Sequence, residues 1–234
     1  MVFVDCSNPY TRDYIAGYAA AHEAHLDRVR AQVRDWVADS HRREQEACER
    51  ERRSRRPYAA VFDIDEVVLC NIHMNRYAGV QNGAAVDFHA ADHFAAPDGL
   101  PWPRADCRLN PLLPGARELL AECLRQGLRV FFVTGRVESI RDETIENFRW
   151  VGLTDLFDAD KLARGGSNGE TSLHMCPDAE KPAAGESIRP FKEARRRAIE
   201  QTHRIVFNIG DQISDLGLHG DVQVHAPHIF YWTP

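Results

Sequence analysis

Between Thr11 and Asp39 the positions Ile15, Ala19, His22, Leu26, Val29, Val33 and Trp36 recur at alternating steps of four and three. That period is one stripe of a long amphipathic helix, which has to pack on a core in the same chain or on a second copy of it. His22 interrupts the stripe and reads as a partly buried histidine rather than a ligand. The pattern then changes. Ala59, Ala60, Val61 and Phe62 are apolar on both faces, as in a strand of a parallel sheet covered by helices. Leu119, Leu120, Cys123 and Leu124 line one face of a helix that Gly127 closes, and Arg129 to Thr134 supplies the next strand. A helix carrying Ile140, Ile145, Phe148 and Val151 follows, then a short edge strand over Thr171–Cys176. The chain continues with a helix over Ser187–Glu200 with Pro190 in its first turn, a strand from Arg204 into Gly210, and a last strand Val222–His225. This β-α-β-α order predicts an α/β fold built on a doubly wound parallel sheet.

Three stretches break the pattern. Arg42 to Arg56 mixes seven arginines with four glutamates, which reads as a solvated helix or linker without a functional assignment. Ile72 to Asn110 is rich in Gly, Ala, His and aromatic residues and ends in prolines, the composition of an inserted lid. Asp158 to Gly169 is a polar loop. The division is therefore an N-terminal helical extension over 1–57, a core over 58–71 and 111–234, and a cap over 72–110.

The chain has 234 residues, enough for one core with such an insertion. Its 44% hydrophobic and 27% charged residues suit a soluble globular protein, and a net charge of -6 argues against a broad surface for a nucleic acid polymer. No run of about 18 apolar residues calls for a membrane. The start Met1-Val-Phe-Val-Asp-Cys6 has neither a basic nor an apolar leader segment, so the expectation is a cytoplasmic protein. Six scattered cysteines without a C-x-x-C pair fit reduced thiols better than a zinc site or a disulfide framework.

Chemistry concentrates where strands end. Asp63 and Asp65 flank Ile64, so an extended chain puts both carboxylates on one side at the carboxyl end of a strand, the edge where open α/β sheets bind ligands. Two such acids repel by about 4 kcal/mol at an effective dielectric near 20, which a shared proton or a divalent cation has to offset; a pair that merely caps the next helix is the plainer alternative. Thr134-Gly135-Arg136 places a hydroxyl and a glycine at a strand end before a helix, a site for phosphate oxygens or a simple turn. Gly210-Asp211 repeats the opening, with Asp215 four residues on and within reach if the turn becomes helical. Lys192 opens the helix before that strand. His89, Asp92 and His93 have helical spacing but no third strong ligand nearby.

In this order, Phe-Asp-Ile-Asp-Glu-Val-Val-Leu-Cys-Asn, Phe-Phe-Val-Thr-Gly-Arg, Phe-Lys-Glu-Ala-Arg and Asn-Ile-Gly-Asp-Gln-Ile-Ser-Asp-Leu resemble the haloacid dehalogenase (HAD) superfamily. Within it they look like the acid phosphatase branch, subfamily IIIB, with the plant vegetative storage proteins and the bacterial class B and C enzymes. The resemblance runs from about Tyr58 to Tyr231. Val67 and Cys70 depart from it, where threonine and serine are common. It implies a Rossmann-like core and a Mg²⁺-dependent phosphomonoesterase acting on small phosphate monoesters, nucleoside or aryl monophosphates among them. Asp63 would be the nucleophile that forms an aspartyl-phosphate, and Asp65 the acid and base. Thr134, Gly135 and Lys192, preferred over Lys161 and Lys181, would bind phosphate. Asp63, Asp65 through its carbonyl, Asp211 and Asp215 would hold the metal. A phosphotransferase or mutase on the same scaffold is the alternative, as is a storage or binding protein, although such a protein is expected to have lost the nucleophile and Asp63 is present. Leaving-group contacts are expected from the cap, where Tyr77, Phe88, Phe94 and Trp102 could stack on an aryl or nucleoside group.

Overall fold

A computed structural model describes residues 9–70, 110, 112–157, 162, 171–182 and 186–227. Tyr77, Phe88, His89, Asp92, His93, Phe94 and Trp102 lie outside them, as does most of the loop at 158–169. Strands β1 (Tyr58–Phe62), β2 (Arg129–Val137), β3 (Thr171–Cys176), β4 (Arg204–Gly210) and β5 (Val222–His225) form one sheet in the order β3-β2-β1-β4-β5. Every pairing is parallel. Among the described residues four α-helices flank them: α1 (Pro9–Glu51), which precedes β1, and α2 (Ala116–Arg125), α3 (Arg141–Trp150) and α4 (Arg189–Thr202). The chain winds outward from β1 in one direction through β2 and β3, then restarts on the other side with β4. The switch between β1 and β4 opens a crevice at the carboxyl ends of those strands.

Period-two alternation assigns the two faces. Ala60, Phe62, Val130 and Phe132 point to the side of α1, α2 and α3, while Ala59, Val61, Phe131 and Val133 meet Phe191 and Ile199 of α4. On β4 the alternation slips by one: Ala59 pairs with Ile205 and Ala60 with Phe207, so Val206 is the extra residue of a bulge. The slip turns Phe207 and Ile209 toward α1 and leaves Asn208 on the α4 side. The α2 helix ends as its glycine requires, with Gly127 at φ 74 and the Leu128 N–H donating to the Cys123 carbonyl at 2.9 Å.

The helical stripe packs on this chain's own core: Leu26, Val29 and Val33 are buried, and the Trp36 ring lies 5.4 Å from that of Phe207. The helix extends past Asp39 to Glu51, taking in two thirds of the arginine-rich stretch. Most of that stretch is the exposed charged helix its composition suggests, with one exception. Glu44 is fully buried and accepts from Arg53 at 2.6 and 3.1 Å and from the Arg56 backbone N–H at 3.1 Å, with Arg204 Nη1 of β4 at 3.3 Å. Arg204 also grips Asp221 at 2.6 Å, which Ser40 of α1 contacts at 2.5 Å. Glu44 with Arg53, Arg56 and Arg204 around it ties the end of α1 to the sheet. Composition could not show this, because the burial of Glu44 is decided by β4, whose Arg204 is 160 residues on.

Glu44→Gln should cost about 3 kcal/mol, since it strips the charge from a buried acid while its cations stay in place. The Arg53 hydrogen bonds, above all, hold the Glu44 carboxyl below its ordinary range. Its contribution is therefore fully present above the unfolded glutamate pKa of about 4.3 and shrinks as pH falls below it. Urea unfolding of wild type and Glu44→Gln at pH 7 and pH 4 should show the gap narrowing at the lower pH.

Candidate active site

The ends of β1, β2 and β4 and the start of α4 meet at the crevice. Asp63 continues the β1 ladder, its N–H donating to Ile209 O at 2.9 Å, and alternation turns its side chain toward α4. There Lys192 Nζ lies 3.2 Å from Asp63 Oδ1 and also pairs with Asp215. Asp215 comes back to the site through two tight turns, Asp215 N to Gln212 O at 2.9 Å and Leu216 N to Ile213 O at 3.2 Å, rather than through a helix. Gly210 makes this possible: a Cβ there would stand 1.9 Å from the Cβ of Asp215. Oxygens of Asp63, Asp211 and Asp215 lie within 4.8 Å of one another, and all three residues are buried.

At an effective dielectric near 20, each pair of charges at such a separation costs roughly 3–4 kcal/mol, and an ammonium near 3 Å returns about 5 for each acid it touches. Repulsion and attraction then nearly cancel, and desolvation decides. Burial first, then Asp215, pushes the Asp63 carboxyl well above the usual range, with Lys192 pulling against them. Burial, with Asp215, pushes Asp211 up to about 7 despite a 2.6 Å hydrogen bond from Gln212 Nε2. Burial alone would lower the Lys192 ammonium, yet Asp215 and Asp63 more than compensate and hold it charged. Lys181, the other lysine among the described residues, is exposed.

Without further positive charge, then, Asp63 and Asp211 tend to keep their protons toward neutral pH. A hard divalent cation would replace them, and the donors fit it: the oxygen atoms are grouped without a histidine or thiol among the described residues, and the buried Asp63 Oδ1 accepts no hydrogen bond there. Asp215 is the most occupied of the three, with Oδ1 on Lys192 and Oδ2 accepting the Gln212 N–H at 3.2 Å.

Asp65 does not join this group by its carboxylate. The chain turns after Asp63, with the Val68 and Leu69 N–H groups donating to Ile64 O at 2.9 Å, so the period of two ends there. Arg136 instead holds Asp65, with Nε at 3.0 and 3.2 Å from its two oxygens and Nη2 at 2.6 Å. Thr134 is buried and its Oγ1 accepts the Arg136 N–H at 3.1 Å, which leaves its own proton to donate. Gly135 is exposed, and a Cβ there would meet little beyond Ile188 at 3.4 Å, so packing does not require the glycine.

Two site residues escape the motif reading. Arg136 sits inside Thr-Gly-Arg, but its partner is 71 residues away in sequence. Arg196 is fully buried, donates to Asn208 Oδ1 and Ser214 O at 3.1 Å and lies 3.5 Å from Asp215. Its spacing of four from Lys192 places both on one helical face, a signal that was available. The arginine of the Phe-Lys-Glu-Ala-Arg motif, Arg195, lies over the Phe191 ring at 5.2 Å instead.

A model of the HAD superfamily, subfamily IIIB (acid phosphatase), matches residues 9–230. The tomato (Solanum lycopersicum) protein "Acid phosphatase 1" is 30% identical over 159 residues, covering 67% of this chain and 51% of its own length. The chain thus spans about half the length of that relative. Among solved structures, the class C acid phosphatase of Bacillus anthracis with tungstate bound superposes with a TM-score of 0.51 at 19% identity, over 92% of this chain and 80% of the other. Another structure of the Bacillus anthracis enzyme gives 0.48 at 19% identity, over 92% and 85%.

Because the native state binds protons at Asp211 that the unfolded chain releases near pH 4, cation-free protein should lose stability as pH rises from about 4 to 7. Asp211→Asn should flatten that part of the curve. Melting temperatures in chelator, taken at half-unit steps between pH 4.5 and 8, check both expectations.

Proposed function

This chain belongs to the HAD superfamily, subfamily IIIB, the acid phosphatases, and from that premise we propose that it hydrolyses small phosphate monoesters through an aspartyl-phosphate on Asp63. The observation that carries the proposal is the buried Asp63 carboxylate, with an oxygen that accepts no hydrogen bond among the described residues and an ammonium 3.2 Å away.

One Asp63 oxygen attacks phosphorus as the ester P–O bond breaks, and Asp65 gives its proton to the leaving alcohol. Water then attacks the acyl-phosphate, Asp65 takes up its proton, and inorganic phosphate leaves. Lys192, the Thr134 hydroxyl and the backbone at Gly135 bind the phosphoryl oxygens and offset their charge. Arg136 occupies both oxygens of Asp65, so a substrate phosphate that draws off the guanidinium would free one of them for proton transfer. Asp63 and Asp211 would hold Mg²⁺ by carboxylate and Asp65 by its carbonyl, while the two engaged oxygens of Asp215 favour contact through water. When bound, the cation supplies the charge that lets Asp63 ionise and steadies the transferring phosphoryl group. Recognition of an aryl or nucleoside leaving group is assigned to the cap at 72–110, Tyr77 and Trp102 included.

Asp63→Asn should lower phosphate release from p-nitrophenyl phosphate by at least a thousandfold, more than about 4 kcal/mol of barrier, while the variant stays folded because it relieves crowding. Release at near wild-type rate would rule out the covalent route. Chelator should abolish activity and Mg²⁺ restore it.

A further inference from the structure

The turn that carries the acids contains a strained residue. Glu66 follows Asp65, is fully buried and has φ 57, a left-handed conformation that costs a non-glycine residue on the order of 1 kcal/mol or more. Its dihedral sets the orientation of the Asp65–Glu66 peptide, whose carbonyl belongs to Asp65. Its N–H donates to the Leu69 carbonyl at 2.8 Å, and two residues one turn apart on α1 brace its side chain and its carbonyl. Tyr18 OH lies 3.1 Å from Glu66 Oε2 and 3.3 Å from Pro227 O. His22 Nε2 lies 3.3 Å from the Glu66 carbonyl and Nδ1 3.4 Å from the Pro114 carbonyl. The two rings pack edge to face at 5.9 Å.

The same contact governs the base of the insertion. Leu69 bridges to Leu112, and the Leu113 N–H donates to Val68 O at 2.9 Å, so the chain leaves the core and re-enters it side by side. Pro114, Gly115 and Glu66 all lie against α1, and a Cβ on Gly115 would come within 3.1 Å of Leu26 Cβ. Residues 18, 22 and 26 thus form one helical line laid across the nucleophile turn and the re-entry point together.

We propose that Tyr18 and His22 are positioning residues: α1 is a splint that fixes the Asp65–Glu66 peptide, and through it the acid Asp65 and the carbonyl offered to a cation. This rests on the phosphatase reading for its kinetic consequence, but not for its effect on cation binding. Tyr18→Phe keeps the ring and its packing and removes only the hydroxyl. Misplacing a catalytic group by a fraction of an ångström to an ångström is expected to lower kcat on p-nitrophenyl phosphate roughly ten- to hundredfold, with KM within a factor of two. The Mg²⁺ concentration at half-maximal rise in melting temperature should increase severalfold, while the melting temperature in chelator falls by only a few degrees and the far-ultraviolet spectrum stays near wild type. His22→Ala should behave likewise, and His22→Gln, whose amide can reach the Glu66 carbonyl, should restore most of the loss. These paired histidine variants decide the matter if Tyr18→Phe does not fold. Wild-type kcat and Mg²⁺ midpoint, within twofold, in folded Tyr18→Phe or in His22→Ala would overturn the proposal, as would kcat losses no greater than the loss of folded protein. A wild type inactive on every phosphate ester would instead overturn the phosphatase reading, and the Mg²⁺ midpoints would still test the splint.

Discussion

Three buried carboxylates around one ammonium set the terms for the rest of this structure. Lys192 neutralises two of them, Asp63 and Asp215, at close range and Arg196 adds its charge beside Asp215, yet burial still pushes Asp63 and Asp211 toward their protonated forms. Such a cluster is stable either with protons it can surrender or with a cation it is built to accept. The proposed phosphatase reaction needs the second state, since a protonated Asp63 would be no nucleophile.

The fold assembles that cluster with a few local devices. The bulge at Val206 turns Asn208 toward α4, where it receives Arg196. Gly210 leaves the space into which Asp215 folds back. The left-handed Glu66 turns the chain sharply after β1, so that Asp65 leaves the three-acid group and meets Arg136. Each device spends local strain or close contact to place one charge, and the long α1 helix supports the one with the highest backbone cost.

Local pattern made much of this legible. Strands apolar on both faces, the glycine after α2 and the proline opening α4 report backbone preferences carried by the residues themselves, and they mark the elements to within a few residues. The acids at the ends of β1 and β4 were legible for the same reason, because chain order puts them at one sheet edge. Burial and pairing across long separations were not. Glu44 looks like one charge in a solvated run until β4 brings Arg204 to it. His22 looks like one position on a stripe, and Tyr18 lies outside that stripe, until the β1 turn presents a carboxylate and a carbonyl to them. An extended chain would put Asp65 on the side of Asp63, but the chain turns after Asp63.

Cation binding with its proton count tests the claim that charge imbalance organises the site. If Asp63 and Asp211 hold protons that a cation displaces, Mg²⁺ binding at pH 6.5 should release protons, and Asp211→Asn should release fewer. Isothermal calorimetry in two buffers of different ionisation enthalpy reads this directly, as a buffer-dependent heat for the wild type. Mg²⁺ that fails to bind, or binds with the same heat in both buffers, would contradict it.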